Sequence, residues 1–266
     1  MTDSMGNELH PGAWLTWALA AGLIAVSTTN PFYLAPLAAA SWMVHAACAR
    51  PGPGTRSFGV FAMFAGAAVV VRIALVAFGP IDGGSIAHAA LEGLRLGVLL
   101  IVFGTFNSVT DPSRVLRLAP RRWHEASLAA AIALSVAPRT IAAASRVREA
   151  QRLRGFDVTH RRSLLALAVP VLANGLEDAV VLAESMDARG HGRGRRTRYR
   201  SERVSAASAI VSGVAMGGAA AFVVAGVVGR GDLAPAMLPL RWPDVSALLA
   251  CAALLFAIPA VLAARR

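Results

Sequence analysis

The sequence predicts an all-α, polytopic membrane protein with about six transmembrane helices and two long helices held on the cytoplasmic side of the bilayer. Three observations carry that prediction. Hydrophobic residues make up 56% of the 266 and charged residues only 15%, with mean hydropathy +0.57, a balance suited to lipid and not to a soluble domain. The apolar runs approach span length and are separated by Pro, Gly and polar breakers. Finally, all 26 basic residues are arginine, the formal net charge is +11, and the arginines gather in a few connecting segments. In a chain with apolar spans, such basicity marks cytoplasmic loops, with anionic lipid as a further partner.

In order, the first two apolar runs cover 13–27 and 32–49, divided by Thr28-Thr29-Asn30-Pro31, whose Asn-Pro step favours a turn. The first is short for a span, which suits a tilted or re-entrant hairpin. The segment 1–12 carries Asp3 and Glu8 and no basic n-region, so the first span is expected to remain in the mature protein. Cys48 and Cys251 fall in apolar runs far apart and offer neither a disulfide framework nor metal-ligand spacing.

A Pro- and Gly-rich basic loop, 50–56, leads to a third span over 58–78. Arg72 near its end is expected to snorkel to the headgroups. After the turn 79–85, a fourth span covers 86–106, where Glu92 and Arg95 share one helical face and are expected to make an interhelical contact. Thr110-Asp111-Pro112 then reads as a helix start, with Pro112 at the first helical position. Arg114, Arg117, Arg121 and Arg122 make the following stretch strongly basic.

Two long helices follow, 125–154 and 162–189, joined by a turn at 155–160; Pro170 is expected to kink the second. Asn174, Asp178, Ser185 and Arg189 lie close to one face of it, because steps of four, seven and four return to nearly the same angle. The basic loops at 114–122, 152–162 and 189–203 all belong on the cytoplasmic side, and a helix with both ends on one side does not cross once. Spanning would also put Glu177 and Asp178 near the bilayer centre, at a cost of several kcal/mol.

The runs 206–228 and 245–264 complete the spans, the former with a small-residue face at Gly213, Gly217 and Gly218. The expected organisation is therefore 1–110, N-terminal transmembrane helices; 111–203, cytoplasmic-side helices; and 204–266, C-terminal transmembrane helices. Both termini are expected in the cytoplasm.

No catalytic, metal or cofactor site is expected. There is no phosphate-binding loop, no zinc-protease motif, no acidic cluster for Mg-diphosphate and no nucleophile elbow, and the six histidines are scattered. Seven of the fifteen residues from Arg189 to Arg203 are arginine, yet Tyr199 is the single aromatic there, a poor platform for stacking bases. No nucleic-acid partner is expected on that ground. What stands out is that both long helices end in an Arg-Gly step, Arg152-Leu153-Arg154-Gly155 and Ala188-Arg189-Gly190, with the arginines 35 positions apart. Gly after a helix end and Arg in its last turn have an ordinary structural explanation as caps. The duplication points further, since a helix-end arginine suits a bidentate contact with a partner's carboxylate or carbonyls.

These two signatures resemble those of the transmembrane T component of energy-coupling factor (ECF) transporters, the ABC-type importers of vitamins and transition-metal ions. Supporting likeness lies in Thr110-Asp111-Pro112 and Arg195-Arg196-Thr197, and the resemblance runs from Leu9-His10-Pro11 through Thr197. One departure is Leu153 where the family has Ala. The resemblance implies that 125–154 and 162–189 are coupling helices docking into two cytoplasmic ABC ATPases, identical or different. Arg154 and Arg189 would lie at those contacts, with Gly155, Gly190, Arg152, Ala188 and Leu153 around them. It also implies a small S component that captures the cargo and packs on the apolar surface, and a home in the cell membrane. A membrane-anchored protein binding anionic lipid or nucleic acid through its basic loops is the alternative.

Overall fold

The computed structural model describes residues 9–49, 53–78, 82–155, 161–191, 204–230, 232–233 and 245–264. Among them every regular element is helical. The basic stretch 192–203 with Arg195-Arg196-Thr197, the start of the chain with Asp3 and Glu8, Arg50, most of the 229–243 connection and Arg265-Arg266 lie outside the described residues.

The chain divides into two compact units, one from 1–118 with 202–266 and the other from 119–201. In the first, α1 (Pro11–Ser27), α2 (Pro31–Cys48), α3 (Pro53–Leu75), α4 (Gly83–Val109) and the short α5 (Pro112–Leu116) are joined by α8 (Ala206–Val228), α9 (Ala247–Leu254) and α10 (Ile258–Ala264). The second holds α6 (His124–Leu153) and α7 (Arg161–Ala188).

Helix starts follow from local chemistry. Pro11, Pro31 and Pro112 open α1, α2 and α5, where a missing N–H costs nothing. Side chains just ahead accept the orphan amides: His10 from Gly12, Asn30 from Phe32, Asp111 from Ser113 and Ser205 from Ser208. Asp82 caps α4 through Ser85, whose hydroxyl and amide hold the carboxyl below its ordinary value. The expected continuous helix over 245–264 is instead interrupted by a 3-10 turn at Leu255–Ala257. Pro259 has no N–H for the carbonyl four residues back, so the winding tightens there. The carbonyl of Phe256 in this turn accepts from Trp17 Nε1 at 3.0 Å. Proline does not end α7, which continues through Pro170.

The tightest packing pairs α3 with α4. A Cβ on Gly93 would stand 2.6 Å from Val69 Cα, one on Gly97 3.1 Å from the Ala65 carbonyl, and one on Gly104 2.8 Å from Phe61 Cβ. These glycines let two backbones meet without side chains between them, the way close helix pairs form in lipid. The small-residue face expected on α8 is different: added Cβ atoms at Gly213 and Gly217 would meet nothing within 4 Å, and only Gly218 packs, under Phe256. Elsewhere Trp17, Ile24, Tyr33, Leu34, Leu37, Val98, Val102, Val211, Phe222 and Phe256 form a closed core joining α1, α2, α4, α8 and the last helical segment.

Polar staples register these helices. The Tyr33 hydroxyl accepts from the Ser246 amide at 2.8 Å, and the His10 amide donates to Ser208 Oγ at 2.9 Å. The buried turn between α1 and α2 is clasped to the chain beyond α8: Thr28 Oγ1 donates to the Leu233 carbonyl at 2.8 Å and Asn30 Nδ2 to the Asp232 carbonyl at 3.0 Å. Buried polar groups without water must find such partners.

Among the described residues, five helical segments are long and apolar enough to cross a membrane: Gly54–Leu75, Gly83–Val109, Glu125–Leu153, Ala206–Val228 and Ala247–Ala264. The chain is a membrane-embedded α-helical protein. This set differs from the expected spans. At 17 residues, α1 is short, and α2 is not among the five, whereas α6 qualifies because its first half is almost uncharged.

Candidate functional site

The two Arg-Gly helix ends share a left-handed glycine and the bond from its amide to the carbonyl three residues back. At the end of α7, the Gly190 amide donates to the Asp187 carbonyl at 2.8 Å and the His191 amide to the Met186 carbonyl at 3.0 Å. That pair of bonds is a Schellman cap, with Arg189 as the last half-helical residue and Gly190 in the left-handed region at φ +74. At the end of α6, the Gly155 amide donates to the Arg152 carbonyl at 3.0 Å, Arg154 is the half-helical residue, and Gly155 sits at φ +78. The next amide belongs to Phe156, outside the described residues.

Neither glycine is there for space, since an added Cβ would meet nothing within 4 Å at either position. They are glycines for conformation, and the turn they make leaves the preceding arginine at the helix tip. Arg152, Leu153, Arg154, Gly155, Ala188, Arg189 and Gly190 are all exposed. Leu153, between Arg152 and Arg154 in the sequence, is a large apolar side chain 85% exposed. An exposed large apolar residue together with exposed arginines suits an interaction surface.

The structure keeps the two tips apart. Arg154 precedes α7 and Arg189 follows it, and α7 has 28 residues, or about 42 Å of helix. The connection from Arg154 to Arg161 recovers at most about 25 Å of this. The two arginines therefore stand at opposite ends of α7, with their Cα atoms at least about 17 Å apart. Between them, α6 and α7 pack on each other, yet none of residues 125–155 and 168–191 is buried. Ile141, Val169, Leu172, Leu176 and Val181 are each at least 65% exposed.

A second charged group lies in the helical bundle. Arg72, expected to snorkel to the headgroups, donates through Nη2 to Glu92 Oε2 at 3.0 Å. Arg95 Nη1 stands 3.6 Å from Glu92 Oε1, and its Nη2 donates to the carbonyl of Val26 in the last turn of α1. Thus Glu92 and Arg95 do make the interhelical contact that their spacing implies, tying α1, α3 and α4. The signal that could have placed Arg72 is Gly93-x-x-x-Gly97 next to Glu92, because the bare face at Gly93 brings α4 onto Val69 and Arg72.

Among the described residues no group of three or more His, Cys, Asp or Glu is placed to hold a metal ion. No protein-family model matches this chain, and no curated protein matches it.

Proposed function

We propose that this chain is the transmembrane coupling subunit, or T component, of an ECF-type ABC importer for a vitamin or a transition-metal ion. In this reading α6 and α7 are coupling helices on the cytoplasmic side, and Arg154 and Arg189 seat them on two ABC ATPases. Hydrolysis belongs to those partners and the chain itself is not an enzyme. An S component carries the substrate and packs on the apolar surface in the cell membrane, and both termini face the cytoplasm. One observation carries the reading: two successive helices each end in an exposed Arg-Gly step with the glycine in the left-handed region, one at either end of α7. A pair of equivalent tips suits a pair of equivalent partners, and helices so poorly buried suit motion relayed between partners.

The test combines recovery and function. Tagged wild-type protein drawn gently from its own membranes should bring one or two ABC ATPases and a small hydrophobic protein. In Arg154→Ala/Arg189→Ala, membrane insertion should be unchanged while ATP-driven uptake falls to background. Normal uptake in the double variant, or no ATPase with the wild type, would sink the proposal. The second outcome would favour the reading in which exposed basic and apolar residues of α6 and α7 bind anionic lipid, checked by vesicle flotation.

A further inference from the structure

The Arg72, Glu92 and Arg95 cluster does not belong to the coupling tips, and its charge does not balance. Two guanidinium groups share one carboxylate, so one positive charge is left over near the end of α3. Arg95 is spoken for, between Glu92 and the Val26 carbonyl in the last turn of α1, where a cation also suits the negative end of the helix dipole. Arg72 is the unsatisfied partner. It donates to Glu92, its Nε is enclosed without a hydrogen-bond partner among the described residues, and its side chain remains 40% exposed. The nearest acid before Glu92 is Asp82, about 15 Å away along the axis of α4 and engaged by Ser85. The connection at 79–81 contributes no charge.

An arginine with surplus charge, half-open on an apolar surface, requires an anion. The surface around it is lipid-like: Val71 is 55% exposed, Leu75 52% and Phe78, at the end of the helical segment, 90%. From Arg72 the chain continues through Leu75 and a 3-10 turn over Val76–Phe78, about 10 Å in all. A span that ends between Leu75 and Phe78 would carry the guanidinium just under the headgroup layer, within reach of a phosphate drawn down beside it. We propose that this cluster is a phospholipid seat, in which Arg72 binds the phosphodiester of an anionic lipid while an acyl chain lies along Val71 and Leu75. Glu92 neutralises one of the two guanidinium charges, and the lipid supplies the second negative charge.

Native mass spectrometry of the detergent-purified chain, titrated with dioleoyl phosphatidylglycerol, tests this. Wild type should retain one such lipid at collision energies that strip dioleoylglycerol, which has the same chains without phosphate. Equal retention of the two by wild type overturns the proposal whatever the variants do. Arg72→Gln should bind the phosphatidylglycerol about tenfold more weakly, the scale of one charge-assisted contact. Glu92→Gln, which frees both arginines, should bind it at least as well as wild type. If Glu92→Gln loses lipid as Arg72→Gln does, the triad is only a helix lock and the proposal fails. Undiminished lipid in Arg72→Gln together with loss of a co-purified membrane protein would likewise overturn it, in favour of a partner's carboxylate.

Discussion

At the scale of the residue, Gly155 and Gly190 show what a cap glycine does when nothing crowds it. An alanine in their place would clash with no neighbour, yet it would have to hold φ near +78 or +74. For an L-residue that costs about 1–2 kcal/mol, a factor of roughly 5–30 in the closed turn. We expect Gly155→Ala and Gly190→Ala to speed amide hydrogen exchange in the last turns of α6 and α7 by about that factor and to reduce ATPase recovery. Asparagine, which tolerates the left-handed region better, should keep more of both. Unchanged exchange in the alanine variants would show that the cap does not set the arginine's place. The Arg-Gly tips were legible in the sequence because a helix cap is local chemistry, readable from a few neighbours. Arg72 was not, since its partner lies on another helix, 20 residues away at Glu92.

At the scale of the element, two glycine pairs with identical spacing have opposite fates. Gly93 and Gly97 on α4 receive the backbone of α3, whereas Gly213 and Gly217 on α8 face nothing within 4 Å. Spacing alone does not say which face of a helix a neighbour takes, so a sequence pattern that is correct for helix contact pointed to α8 and passed over α4. The consequence is measurable. Gly93→Val places a side chain against the Val69 backbone, which cannot swing aside as a flexible side chain would. We expect a loss on the order of 1–3 kcal/mol, read as a lower melting temperature of the purified chain in detergent. It should also loosen the Arg72–Glu92 bridge, because both depend on the same approach. Gly217→Val should melt like the wild type. Equal melting of the two variants would refute the packing. Helix starts were the most legible feature at this scale, since Pro11, Pro31 and Pro112 and their capping side chains act within a single turn.

At the scale of the whole molecule, the open question is whether α6 crosses the bilayer, and charge and composition pull in opposite directions. By length and hydropathy Glu125–Leu153 qualifies as a span. A crossing by α6, however, forces one by α7, because the arginines beyond Arg189 belong with those before α6 on the cytoplasmic side. The pair would then bury Arg139, Glu177 and Asp178 in hydrocarbon, each at roughly 2.5–3.5 kcal/mol, and would carry Arg154, Arg161 and Arg162 to the far side. Keeping both helices on the cytoplasmic side removes all of these costs, and it leaves exposed apolar residues such as Ile141 and Leu172 to be covered by lipid surface or by partners. We expect single cysteines introduced at Ala126 and at Arg152, in a chain with Cys48→Ala and Cys251→Ala, both to react with a membrane-impermeant maleimide in inside-out vesicles. In intact cells neither should react. Labelling of Arg152→Cys from outside would mean that α6 crosses, and Arg154 would then be on the wrong side of the membrane to meet an ATPase.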